Sequence, residues 1–443
     1  MFNIKYNFLI LIQILLNAVN ALLLIKVFGI SKQVDAYLLA TSIVMTIQLL
    51  QLVFFEQFMV FYTDLKKTAV DKSNDFYNAN LFLSCVIGIV SIVILYLLGN
   101  FVFKVFVFNI DPQRLESLKN IFPILLSGLV FMPVNALNER LLNAEMRFSI
   151  PYILSSLPNL FIVIAQLTVY FLNCNNIIYL AYGQVFGWVL AAVAGTIFIA
   201  KKIVPFKFVF YHSEVKPFFK NSFSTRLGDN IYNVLLPIAV NNMLVTMPAG
   251  FVSYFYYAKK IIDTLKLLTI GPSSKILKTN LTNFWVDKNV RKIKEEMRKF
   301  LKGSIILMFI GIVLSFFAIP TALKIISMGK LSDNDLININ YIFLSLCPWS
   351  LVVLIEAPYI LTIFTAKKSQ IAIMANTLFI LTFFVFVYLL KSSMGIYSIA
   401  VGGLFAQFIN YIIYKNYAEK LLLNLDKTEK SLINTGEIIY NVD

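Results

Sequence analysis

Histidine occurs once in the 443 residues, at His212, and cysteine three times, at Cys85, Cys174 and Cys347. None of these residues forms a CxxC or Cys/His ligand pair, which excludes the usual thiolate and imidazole metal sites. His212 lies in a loop stretch with no nucleophile or acid patterned around it, so Ser-His-Asp chemistry is excluded too. A G-x-x-x-x-G-K-[ST] loop is missing from the chain, which removes nucleotide binding of that kind. Charge is also scarce: charged residues make up 14% of the chain and hydrophobic residues 59%. Soluble domains carry about 25% charged residues, so the composition excludes an ordinary one.

What fills the chain instead is a succession of Leu, Ile, Val and Phe runs. Backbone polar groups in lipid must be satisfied within a helix or a closed barrel. Strands of about ten residues with alternating polarity, the mark of a barrel, are not seen. The chain therefore reads as an all-α polytopic membrane protein. A helix needs about 20 mostly apolar residues to cross the hydrocarbon core. That length predicts spans near 6–27, 36–62, 77–105, 117–138, 150–172, 176–200, 229–247, 249–277, 303–327, 339–366, 370–390 and 394–416, about twelve in all. The first is longer than a signal-peptide core and has no small-x-small site before Phe28-Gly29, so it reads as a retained span.

The net charge of +15 raises nucleic acid as a partner, but the cations sit between spans, on alternate loops. Lys66, Lys67 and Lys72 lie on the second loop, Arg140 and Arg147 on the fourth, and Lys201, Lys202, Lys207, Lys216 and Lys220 on the sixth. The eighth and tenth loops continue the pattern with Arg291, Lys292, Arg298, Lys367 and Lys368. Asn173 to Asn176 and Met247 to Gly250, on the fifth and seventh, have no cation. The positive-inside rule then places the even loops and both termini in the cytoplasm, and nucleic acid drops out as a partner. The sixth loop divides the chain into an N-terminal lobe, 1–200, a basic linker, 201–225, and a C-terminal lobe, 226–416, followed by a polar tail, 417–443. A short echo accompanies the division: Val34 to Ala40 opens the second span and Val252 to Ala258 the eighth, each after a turn glycine, Gly29 or Gly250. Parallel repeats are a transporter plan, and chance likeness between aromatic-rich helices is the competing account. Residues 286–302 set Val290, Ile293, Met297 and Phe300 on one helical face and cations on the other. Both an interfacial helix and an extension of the ninth span fit this pattern.

Charges inside spans cost about 2.5–3.5 kcal/mol each at the helix centre and so face protein or a hydrated cavity. Glu56 stands in the second span, Lys259, Lys260, Asp263 and Lys266 in the eighth, and Glu356 before Ala357-Pro358 in the tenth. Lys259, Asp263 and Lys266 share a helix face, and Asp263 partly neutralises both lysines. A cationic patch for a phosphate is one reading of these lysines, and snorkelling to the interface is the other. Glu56 and Glu356 suit ion coupling or gating, with a structural ion pair as the competing reading. Gln13, Asn17 and Asn20 share a face of the first span, where interhelical hydrogen bonding competes with lining a hydrated cavity.

Three stretches resemble a known family. Phe28-Gly29 followed by Asp35-Ala36-Tyr37 is similar to the FG-x6-DAF signature of MurJ/MviN-type lipid flippases. Arg147-Phe148-Ser149-Ile150-Pro151 resembles that family's fifth-span start, and Gly250 to Lys260 resembles its G-x-V-S-x-x-Y-Y-A-x-R segment. The resemblance covers roughly residues 1–415. It implies a multidrug/oligosaccharidyl-lipid/polysaccharide-type exporter, with two six-helix lobes around a central cavity and cationic residues holding a pyrophosphate. Lys260 stands where that family has an arginine, and Asp35 matches its acidic residue after the first span. Asn20 and Ile14 occupy places where the family carries first-span arginines, and Gln48 one in the second. The chain also turns polar after about residue 416, where lipid II flippases have two further helices.

The resemblance points to a flippase, not an enzyme, that moves a lipid-linked oligosaccharide across the inner membrane by alternating access. Lys260, Lys259, Asn20 and Asn17 would bind the anionic head group, and Asp35, Glu56, Asp263 and Glu356 would gate or couple ions. No cofactor is expected beyond a coupling Na+ or H+ or the membrane potential. The expected partners are the lipid-linked glycan and membrane lipids, with a monomeric chain. A cation-coupled multidrug or small-solute exporter of the same fold is the main alternative. A membrane glycan transferase would need carboxylates or histidine on the outer loops, and a non-transporting scaffold would fit the missing arginines.

Overall fold

Every regular element among the described residues is helical, as lipid demands of a spanning backbone. The computed structural model describes residues 4–434 apart from Glu56, Asn175, Met328, Lys367 and Ser369. For residues 4–8, 10, 221, 223–231, 272, 275, 286, 326 and 428–434 it describes the backbone alone. The first nine helices are α1 (Ile4–Phe28), α2 (Lys32–Leu52), α3 (Phe58–Thr68), α4 (Val70–Leu97), α5 (Gly99–Phe106), α6 (Pro112–Ser127), α7 (Phe131–Ala144), α8 (Ser149–Leu172) and α9 (Ile178–Lys202). After the linker come α10 (Val215–Val245), α11 (Phe251–Thr269), α12 (Gly271–Val286), α13 (Val290–Ser327), α14 (Asp333–Thr365), α15 (Ile371–Met394) and α16 (Tyr397–Asn434).

Among the described residues, ten helical stretches are long and apolar enough to cross a membrane. The other two expected spans fall on α10 and α11. In α10 the apolar stretch among the described residues is Tyr232–Val245. In α11 the four charges Lys259, Lys260, Asp263 and Lys266 interrupt the run. Several expected spans are broken by short turns. A 3-10 turn at Gly128–Val130 joins α6 to α7, with Gly128 set against the Trp188 ring. The long eighth span stops at Ile270, because Pro272 lacks the N–H that a continuous helix needs and instead starts α12.

The chain forms two compact units, one of residues 1–254 with 323–334 and one of residues 255–322 with 335–443. The expected lobes, 1–200 and 226–416, divide the chain at the sixth loop instead. In the first unit α1 packs on α8, α2 on α6, and α4 and α9 on α7. A buried aromatic cluster, Phe58, Phe76, Tyr77 and Phe218, closes one region of it. In the second, α15 and α16 form the tightest pair.

Two expectations about the polar stretches take a definite form. Val290, Ile293, Met297 and Phe300 do not face a membrane interface; they pack against Leu277 and Leu281 of α12 and Leu422 of α16. Residues 286–302 are thus largely an extension of the ninth span, with α13 continuous from Val290. The polar segment after residue 416 is helical as far as Asn434, the end of α16. Glu56 lies outside the described residues.

Lipid tails are as apolar as leucine, so helices in a membrane associate through close backbone approach and polar contacts. Gly88 of α4 lies so near the 3-10 turn that an added Cβ would sit 2.5 Å from Val130 Cα and 2.9 Å from the Leu129 carbonyl. The Gly88→Val variant is expected to lose about 1–3 kcal/mol of stability by overpacking. A thermal melt of purified protein by size-exclusion fluorescence checks this, and an unchanged midpoint would show that α4 does not approach the turn so closely.

Candidate functional site

The turns before α2 and α11 are built alike. Gly29 (φ 61°) and Gly250 (φ 95°) adopt the left-handed backbone that favours glycine. A Cβ on Gly250 would also lie 2.7 Å from Ile30 Cγ2. Ser31 caps α2 by accepting from the Val34 N–H at 3.3 Å. One turn into α2 lies Asp35, fully buried. Its carboxylate accepts from the Gly250 N–H at 2.8 Å, the Ser253 N–H at 3.0 Å and the Ser253 hydroxyl at 2.6 Å. The two echoing stretches of the sequence therefore meet, and the acid of one caps the helix that begins the other. An anion at a helix N-terminus is favoured by the unpaired N–H groups there. The next residue but one, Tyr37, donates to Gln184 Oε1 at 2.9 Å and so ties α2 to α9.

A buried arginine completes this clasp. Arg114 comes from the first turn of α6, a helix started by Asp111 as N-cap and Pro112 at its first position. Its Nη2 donates to the carbonyls of Val245 and Met247, at 3.2 and 3.1 Å, where α10 ends. Its Nη1 lies 3.7 Å from Asp35 Oδ2. The cation thus faces the carbonyl end of one helix and the carboxylate that caps the next. The same end of α10 is further held by Asn241, which donates to the Ser42 hydroxyl at 3.1 Å. Asn242 accepts from the Phe108 N–H at 2.7 Å and donates to the Val105 carbonyl at 2.6 Å.

The remaining intramembrane charges divide into paired and unpaired. Lys259 and Asp263 are half-exposed and form an ion pair, with Lys266 Nζ 4.0 Å from the same carboxylate. Lys260, about 100° around the helix, is half-buried and forms no ion pair among the described residues. In α14, Glu356 is buried and accepts from the Gln407 amide, whose carbonyl oxygen accepts from Trp349 Nε1 at 3.1 Å. No group of three or more His, Cys, Asp or Glu side chains suited to a metal occurs among the described residues.

The family model described as lipid II flippase MurJ matches residues 24–436. The chain belongs to the MurJ lipid II flippase family. A "Probable lipid II flippase MurJ" of Buchnera aphidicola subsp. Acyrthosiphon pisum (strain APS) is 25% identical over 356 residues, spanning 75% of this chain and 67% of that protein. A solved lipid II flippase MurJ in an inward closed conformation superposes with a TM-score of 0.79 at 17% identity, over 99% of this chain and 94% of that one. An inward-facing multidrug resistance MATE family transporter of the MOP superfamily superposes equally well, with a TM-score of 0.79 at 13% identity, over 94% and 96% of the two chains. At such identities these likenesses establish the fold. Membership of the MurJ family makes the chain a multi-pass membrane transporter and not a catalytic enzyme.

The polar face of the first span is committed to packing on α8. Asn20 is buried, donates to Asn159 Oδ1 at 3.4 Å and accepts from Gln166 Nε2 at 2.8 Å. Gln13 donates to the Ser155 hydroxyl at 3.5 Å on the same partner, α8. Of the two readings of this polar face, interhelical bonding is the one that the contacts of Gln13 and Asn20 satisfy. Asn17 is half-buried between them. Arg114 was missed by the sequence reading. Its signal is a single arginine following Asp-Pro on a loop expected to face outward, where cations are scarce.

Asp111 fixes the helix that delivers Arg114. The Arg114 backbone N–H, and then Lys32, hold its carboxyl below the ordinary carboxylate range. A lowered folded pKa stabilises above the unfolded value of 3.8 and the contribution is lost as pH falls through the folded value. Asp111→Asn is expected to remove that acid-side loss, so its melting temperature falls less than the parent's below 3.8. Parallel acid limbs in the two proteins would contradict this.

Proposed function

We propose that this chain flips a lipid-linked glycan, a peptidoglycan precursor or a polysaccharide repeat unit, between leaflets by alternating access, with both termini in the cytoplasm. Lys260 carries the reading. Its neighbours Lys259 and Lys266 already share Asp263, whereas Lys260 keeps its charge free of any ion pair among the described residues. An unpaired cation within a span is costly and is retained where an anion visits. A pyrophosphate-linked head group is such an anion, although lysine meets it as a point charge without the fork of an arginine. Asn17, half-buried on the first span, is the neutral partner retained from the sequence reading; Asn20 would have to release α8 to join it.

The Asp35 clasp is the gate in this scheme. It joins the starts of α2 and α11 through hydrogen bonds alone, which break and reform without covalent change. Glu356 is the coupling site, since a buried acid bonded to a neutral amide can exchange a proton or a small cation while Gln407 holds its place. Outward movement of an anion is favoured by an inside-negative potential by about 2.3 kcal/mol per charge per 100 mV. The two six-span lobes, 1–200 and 226–416, are the moving parts.

Depleting the protein in its host and assaying lipid-linked intermediates identifies the cargo class. Lipid II or a polysaccharide precursor is expected to accumulate; no accumulation would favour a cation-coupled exporter of the same fold. In proteoliposomes, Lys260→Ala is expected to slow flipping of a fluorescent lipid II analogue by about tenfold, the effect of ~1.4 kcal/mol of lost head-group binding. Wild-type flipping by that variant would remove the anion site. Glu356→Gln is expected to flip the same analogue at a rate that no longer responds to an imposed Na+ or H+ gradient. A preserved gradient response would end its coupling role.

A further inference from the structure

Three hydrogen bonds already satisfy Asp35 in the clasp: two from backbone N–H groups and one from the Ser253 hydroxyl. Arg114 therefore is not needed there as a hydrogen-bond donor to the carboxylate; at 3.7 Å it pairs with it by charge alone. Its two hydrogen bonds go to the Val245 and Met247 carbonyls. Its Nε and Nη1, both buried, make no hydrogen bond, and Nη1 stands 3.7 Å from Asp35 Oδ2. A displacement of about 1 Å would convert that gap into a charge-assisted bond of about 2.7–2.9 Å.

The two charges belong to helices that are tied to each other. Lys32, in the first turn of α2, donates to Gln113 at 2.7 Å and pairs with Asp111 at 3.4 Å, both at the start of α6. The helices α2 and α6 also pack along their length. Among the described residues, the hydrogen bonds of the Asp35 carboxylate and the Arg114 guanidinium go instead to the tip between α10 and α11, residues 245–253. If that tip leaves, Asp35 and Arg114 lose their partners together and remain side by side.

We propose that Arg114 is a positioning residue for transport: it is the counter-ion that takes over Asp35 when the α10–α11 tip is released. The clasp then exchanges one satisfied state for another. In the closed state the carboxylate caps α11 and the guanidinium caps the end of α10; in the open state the two charges cap each other. Without the arginine, opening would strand an ionised carboxylate in a site built to exclude water, and the closed state would be favoured. This inference rests on reading the Asp35 clasp as a gate.

The test follows opening by maleimide labelling of a cysteine introduced in place of Val252, a fully buried residue in the first turn of α11. Cys85, Cys174 and Cys347 are replaced by serine in the full-length protein in nanodiscs. Asp35→Asn weakens the clasp and is expected to speed labelling by about tenfold. Arg114→Gln is expected to slow it by about threefold or more, and the Asp35→Asn/Arg114→Gln double variant to return to within about threefold of Asp35→Asn, because a neutral amide in place of the carboxylate needs no counter-ion. Arg114→Lys keeps the charge and is expected to label at least as fast as the parent. If Arg114→Gln labels faster than the parent, or the double variant stays as slow as Arg114→Gln, the arginine is a closing strut and the proposal fails. Should Arg114→Gln not fold, Arg114→Lys decides, and labelling slower than the parent overturns the proposal. If Asp35→Asn does not speed labelling, the gate reading fails instead, whatever Arg114 does.

Discussion

A carboxylate with no exposed surface has to be surrounded by donors, and much of one end of this protein is arranged to supply them to Asp35. Ser31 starts α2 so that Asp35 lies in its first turn. Gly250 takes a backbone conformation open to glycine, and its N–H then points at the carboxylate. Ser253 contributes both its N–H and its hydroxyl. Asp111 and Pro112 start α6 one turn from the clasp and so deliver Arg114 to the end of α10. These devices are local, and each is ordinary capping chemistry. Together they join Asp35 to Ser253, 218 residues further along the chain.

Away from the clasp, most polar side chains in the spans serve packing. Asn138 accepts from Tyr77 at 2.8 Å and donates to the Ala192 carbonyl and the Thr196 hydroxyl, linking α4, α7 and α9. Asn20 and Gln166 do the same for α1 and α8, and close glycine contacts at Gly88, Gly187 and Gly403 supply the remaining proximity. Against this background two charges stand apart. Lys260 has no counter-ion among the described residues, and Glu356 is held by a neutral amide. It is on these two residues that the proposed head-group and coupling roles rest.

In the proposed gating role the clasp exchanges one satisfied state for another. A clasp made of one strong ion pair would close well and open slowly. In this clasp the carboxylate and the guanidinium each hold backbone groups of the same hairpin tip, and they lie close to each other without bonding. The charges are balanced whether or not the tip is present, so the energy of opening falls on the hydrogen bonds to the tip.

The sequence by itself determined the spans, their order and the family. Hydropathy, loop charge and turn glycines are properties of contiguous residues, and helices in lipid bond their backbones internally. For that reason the expected spans survive almost unchanged, apart from breaks such as the one at Pro272. The match at Asp35, Ser253 and Lys260 was legible because those residues stand in short stretches. What each one touches was not legible. Whether Asn20 faces α8 or a cavity depends on how the helix is rotated, which one period of polar residues leaves open. Residues 286–302 have an apolar face that suits a membrane surface or another helix, and only the positions of α12 and α16 chose between them. Arg114 is the clearest case, since its carbonyl partner at Val245 lies 131 residues further along the chain. Its one mark in the sequence is that it follows Asp-Pro on a loop with few cations, which does not say what it touches. The tertiary structure alone decided that it is buried beside Asp35, because burial and pairing arise only when α2, α6 and the α10–α11 tip converge.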